Sequence, residues 1–175
     1  MVKISRYSKR AITGGVISLF VMLLGTFLLG ELSGYEAKVL IKNSIAGINT
    51  LCNTIALASA TILALLLTAL GISSGAQSKL KKDHYKHILQ IAKVDTAIFI
   101  AAIISFLLFN LPVTESENVP NDWFSIVYYV SLGISSVLSA ALIIVVIMLY
   151  NTVVNIIKIV GLGVTDHPLT ENDNE

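Results

Sequence analysis

Polar and apolar positions are sorted along this chain on a coarse scale. Four long runs contain no Asp, Glu, Lys or Arg, and every charge lies between them or at the two ends of the chain. The runs cover residues 11–30, 43–78, 96–114 and 123–157, together 110 of the 175 positions. Lipid offers a backbone no hydrogen-bond partner, so a crossing segment closes its bonds internally. A helix needs about 20 apolar residues to cross a hydrocarbon core roughly 30 Å thick. The pattern therefore predicts an all-α integral membrane four-helix bundle, with spans at about 11–30, 46–72, 94–111 and 124–150.

The ends of these elements are also marked. Ser33 and Glu36 have capping-box spacing ahead of the second run. The run itself, 36 residues long, exceeds one perpendicular crossing. A long second helix is expected from about Gly34 to Ser73, with its first turns, carrying Glu36, Lys38 and Lys42, outside the lipid core. The third span should stop at Asn110-Leu111-Pro112, because proline disfavours helix at the residue before it. Asn121 can cap the fourth helix, which can run past Tyr150 to Val160 before Gly161 and Gly163 stop it. The first run follows Lys3, Arg6, Lys9 and Arg10, as a secretory signal would. It is longer than the usual signal core of about 7–15 residues, and Leu28, Leu32 and Tyr35 spoil the small-residue cleavage registers. An uncleaved first helix is expected.

Composition agrees with the pattern. Charged residues make up 13% of the chain and mean hydropathy is +0.81, against about 25% charged in a typical soluble domain. A broadly basic nucleic-acid face and a disordered chain are both excluded. Cys52 is the only cysteine, so no internal disulfide forms. Residues 1–160 read as one transmembrane domain and 161–175 as a short acidic tail.

Charge position orients the bundle. Ten of the 12 basic residues fall in residues 1–10, in the link from Ser74 to Asp95, or after the fourth span, and two, Lys38 and Lys42, fall on the other side. The positive-inside rule then places both termini in the cytoplasm. Trp123, Tyr128 and Tyr129 suit the outer aromatic belt, and Tyr7 and Tyr150 the inner one. With ten Lys to two Arg, 23 Ile and ten Asn, the composition fits an A- and T-rich gene, and a bacterial cytoplasmic membrane is the expected location.

Candidate chemistry is sparse. Asn49 and Asn53 stand one turn apart on the second helix, with Cys52, Ala56, Ser59 and Ala60 continuing a small or polar face. Ser131, Ser135 and Ser139 repeat every four residues on the fourth helix, beside Gly133, Ser136 and Ala140. Gly14, Ser18, Met22, Gly25 and Thr26 form a looser stripe on the first. Such stripes let helix backbones approach and amides bond across helices. Asn49, Asn53, Ser59, Ser131, Ser135 and Ser139 are therefore candidate helix-contact or pore-lining residues. The inner link offers Lys79, Lys81, Lys82 and Lys86 to anionic lipid headgroups. His84 and His87 are three apart, but with only Asp83 as an obvious third ligand they make no convincing metal site.

The spans are read as free of deeply placed ionisable groups, which counts against proton relays and voltage sensors. No nucleophile, base and orienting group stand together. Glu115, Glu117 and Asp122 read as a solvated outer turn, so no catalytic, cofactor or metal site is expected. Asn151, Asn155 and Lys158 extend an amphipathic pattern beyond the fourth span. The expected function is that of a small non-enzymatic membrane protein, an oligomerising or accessory subunit whose partners are the bilayer, further copies or other membrane subunits. The alternative is an oligomeric channel or small-solute transporter lined by Asn, Ser and Thr.

Overall fold

A computed structural model describes residues 6–28, 34–75, 82–111 and 121–161; Thr26 and a few positions at helix ends are described by their backbone alone. Among the described residues there are four α-helices: α1 (Arg6–Leu28), α2 (Gly34–Gly75), α3 (Lys82–Phe109) and α4 (Asn121–Ile156). A π-helical turn, Ile157–Gly161, follows α4 directly. The expected cap Ser33, Pro112 and the acidic tail lie outside the described residues.

The helix ends follow local chemistry. At the end of α3 the Asn110 amide donates to the Phe106 carbonyl at 3.2 Å and the Leu111 amide to the Leu108 carbonyl at 3.2 Å, so the last turn tightens before the proline. The long second helix is present, at 42 residues. At about 1.5 Å per residue it reaches roughly 63 Å.

The start of α3 corrects the sequence reading. The pattern puts Ser74 to Asp95 in an inner link, whereas α3 already begins at Lys82. Lys86, Gln90 and Lys93 lie on its exposed face, while His84, Ile88, Ile91, Asp95, Ile98, Ala102 and Ser105 form one buried stripe. Charge breaks an apolar run without breaking a helix, because spacings of three and four residues keep each residue type on its own side.

Helix α4 is the centre of the arrangement. It packs against α1 on one side and against both α2 and α3 on the other, and α2 and α3 lie antiparallel along each other. The main core joins Cys52, Ile55, Ile62 and Leu66 of α2 to Ile88, Ile91, Ile98 and Ala102 of α3 and to Leu138, Val145 and Met148 of α4. A smaller cluster, Ile41 with Phe124 and Tyr128, closes the end where α2 and α4 begin.

The first helix meets the rest of the chain through α4. Contact is closest at two glycines. A Cβ at Gly15 would run into the Ile144 side chain and lie 3.3 Å from the Ala140 carbonyl oxygen, and one at Gly14 would lie 2.6 Å from Ile147 Cδ1. Absence of side chains there lets the helix axes approach, as small residues do in membrane bundles. Beyond Leu19 the packing ends, and every described side chain from Phe20 to Leu28 is exposed.

Among the described residues, three helices are long and apolar enough to cross a membrane: the segments Val39–Ser74, His84–Phe109 and Trp123–Ile159. Ala11–Gly25 of α1 is a shorter apolar stretch. The large apolar side chains left exposed include Phe20, Phe27, Leu57, Leu67, Leu107 and Ile126. A surface of this kind is costly in water and neutral in lipid.

Candidate functional site

The antiparallel pairing of α2 and α3 brings opposite ends of the two sequences together. Ser73 faces His84 near one end, with Oγ 3.4 Å from Nε2. Near the other, Asn49 Nδ2 donates to Asn110 Oδ1 at 3.0 Å. Between these contacts Asp95 of α3 comes beside Ser59 of α2. Both residues are fully buried, at 0% exposure. Ser59 stands near the middle of the apolar segment Val39–Ser74, and Asp95 near the middle of His84–Phe109.

This carboxyl group changes the chemistry available to the bundle. Ser59 stands close enough to act on the carboxyl group, yet neither Asp95 oxygen nor the Ser59 hydroxyl closes a hydrogen bond of good geometry among the described residues. The surrounding side chains are those of the main core, rich in Ile and Leu. An isolated carboxylate in such surroundings is among the most expensive groups to bury. Against the expectation of spans free of deeply placed ionisable groups, Asp95 is a fully buried carboxyl group near the middle of an apolar segment long enough to cross a membrane. His84 is also buried, but at the start of its helix.

Hydroxyl geometry sets Ser59 apart. Most buried or exposed hydroxyls turn back onto their own helix's carbonyls one turn earlier, as Thr50 does to Ala46, Thr61 to Leu57, Ser105 to Ala101 and Thr152 to Met148, at 2.8–3.0 Å, and Ser139 shares the exception with Ser59. Such bonds satisfy a hydroxyl without help from another helix. Ser59 makes none of them.

The predicted contact residues divide under the same test. Ser131 donates to the Tyr128 carbonyl and Ser135 to the Ser131 carbonyl, each at 2.8 Å, and both are buried. Their hydroxyls are spent within α4, so the serine stripe contributes small volume to packing. The Ser139 hydroxyl is buried and has no partner among the described residues. Asn49 is half-buried and engaged with Asn110, whose own Nδ2 donates to the Phe106 carbonyl at 2.8 Å. Asn53, expected to share the inward face of Asn49, is exposed. One helical turn is about 3.6 residues, so a four-residue step drifts around the axis, enough at the edge of a buried face to carry a side chain out.

On α1, Gly14 and Gly15 make the close approach, Ser18 is half-buried, and Met22 and Gly25 are exposed. Of the candidate lipid-binding lysines, Lys79 and Lys81 lie outside the described residues, Lys82 opens α3, and Lys86 is exposed. His87 is half-buried. No group of three metal-ligating side chains forms among the described residues.

Sequence reasoning missed Asp95 and Asn110. The signal for Asp95 was present: Ile88, Ile91, Ile98 and Ala102 keep the spacing of a packing stripe, and Asp95 occupies the next position on it. Comparison with protein-family models, with curated proteins and with solved structures gives no match for this chain.

Proposed function

We propose that this chain is a multi-pass integral membrane protein that acts through helix contacts, as an oligomerising or accessory subunit, rather than through catalysis. In this reading all four helices span a cell membrane of bacterial cytoplasmic type, with both termini inside. The ten-to-two distribution of basic residues supports that orientation. Lys79, Lys81, Lys82 and Lys86 then stand on the inner side, where each can attract anionic headgroups by about 1 kcal/mol.

The observation that carries the contact reading is Asn53. Its side chain is exposed near the middle of the apolar segment Val39–Ser74. An amide held against lipid lacks hydrogen-bond partners, and membrane helices resolve this by bonding a polar side chain to another helix. The outer half of α1, apolar and exposed on all sides from Phe20 onward, adds further surface for such a neighbour.

Mass measurement of the protein purified with native lipids tests the reading. Asn53→Leu should shift the population toward smaller assemblies, whereas Asn49→Leu, whose amide is engaged with Asn110, should leave assembly unchanged. A monomer in native lipids, or an assembly indifferent to Asn53→Leu, would refute the role given to Asn53. Solute flux through liposomes containing the wild-type assembly would instead favour the channel or transporter.

A further inference from the structure

We propose that Asp95, with the Ser59 hydroxyl beside it, is a proton-binding site whose loading holds the α2–α3 interface closed. The inference goes beyond the contact reading and does not depend on which partner the bundle takes, because the site is internal.

The ligand follows from what the site contains. Asp95 and Ser59 present three oxygen atoms, all without hydrogen-bond partners among the described residues, inside a packed apolar core. Hard metal cations take about six or more oxygen ligands. A proton needs one oxygen and no added volume. With the proton bound, Asp95 is a neutral acid with an O–H to offer Ser59 Oγ. Without it, a full negative charge faces Ile and Leu side chains. Intramembrane carboxylates mark functional sites, proton relays among them.

Among the described residues no other charge pairs with the carboxylate. Along α2 no titratable side chain lies between Cys52 and Gly75, and along α4 none lies between Tyr129 and Tyr150. On α3 the neighbouring cation, Lys93, is exposed on the opposite face, in the polar stripe with Lys86 and Gln90. That stripe brings a polar environment to within a turn of Asp95 along the helix. On the inward stripe, buried Ile88 and Ile91 separate Asp95 from His84 at the same end. Proton release breaks the Asp95 O–H bond, leaves the electron pair on the carboxylate and passes the proton to water. Because Asp95 is fully buried at the α2–α3 contact, water reaches it only when the packing around it, and with it the α2–α3 interface, parts.

Cys52 reports this opening. It is the chain's only cysteine and is buried in the same core on α2, two turns from Ser59. Its rate of modification by a membrane-permeant thiol reagent is measured in lipid nanodiscs from about pH 5 to about pH 9, in wild type and in Asp95→Asn. The neutral amide mimics the loaded acid, and the ratio of the two rates cancels the thiol's own titration. The ratio should rise by up to about tenfold per pH unit above the midpoint; a ratio flat across the range overturns the proposal.

Infrared spectroscopy of the wild type provides a readout that needs no folded variant. The carbonyl band of a protonated carboxylic acid should persist at neutral pH, and its absence also overturns the proposal. In Ser59→Ala that band should move to higher frequency, as an acid losing its hydrogen-bond partner does. An unmoved band overturns the pairing with Ser59.

Discussion

Replacing Gly15 by Ala tests whether α1 is held to α4 by close backbone approach. Two effects of opposite sign compete. Alanine stabilises a helix interior by about 0.5–1 kcal/mol relative to glycine, since glycine loses more chain entropy on folding. Against this, the new methyl group runs into the Ile144 side chain and lies 3.3 Å from the Ala140 carbonyl oxygen. The carbonyl belongs to the α4 backbone and cannot rotate away, so α1 must shift outward. Overpacking of this kind typically costs about 1–3 kcal/mol, which leaves a net loss of order 1 kcal/mol. In a chain of 150–250 residues each such kcal/mol corresponds to roughly 2–4 °C in Tm.

Gly25→Ala supplies the internal control, because a Cβ there meets nothing within 4 Å. It should keep only the helical benefit and match or slightly exceed wild type. Gly14→Ala should fall between the two, as its obstacle is the terminal methyl of Ile147, which can rotate. The assay is the midpoint for loss of monodisperse protein on heating in mild detergent. Equal midpoints for Gly15→Ala and Gly25→Ala would refute the close-approach account of α1 packing.

Other expected outcomes follow from the same contacts. Asn49→Leu and Asn110→Leu should each destabilise the bundle slightly, with a double-mutant coupling near the 0.6 kcal/mol average for interhelical bonds in a membrane protein, read in the same melting assay. Ser135→Ala should be almost silent, because its hydroxyl serves only the Ser131 carbonyl. Ser135→Leu should lower the midpoint by several degrees, since the position is buried. Topology reporters placed after Asn118 and after Asp173 should read outside and inside respectively; the reverse result would overturn the orientation.

Several parts of the fold were legible because lipid imposes simple rules. A charge-free run long enough to cross, a proline after Leu111 and the basic residues gathered on one side each act locally, so the helical class, the ends of α3 and α4 and a predicted orientation follow from residue order. The start of α3 is not visible in a run of charge-free residues. Lys86 and Lys93 interrupt an apolar count, although they sit opposite the buried stripe of their own helix. Serine hydroxyls were equally ambiguous: spacing places Ser131 and Ser135 on one face, but only side-chain rotation decides whether a hydroxyl bonds its own carbonyl or another helix.

Sequence by itself determined that this chain is a set of apolar helices and predicted which side their charges occupy, because transfer into lipid depends on the composition of each segment. Tertiary structure decided what those helices do to one another. The pairing of α2 with α3 makes Asp95 a buried neighbour of Ser59, ties Asn49 to Asn110 and leaves Asn53 facing outward. Register and rotation are properties of the packed bundle, fixed by many small contacts at once. They turned an acidic residue read as the end of a loop into the most consequential side chain of the interior.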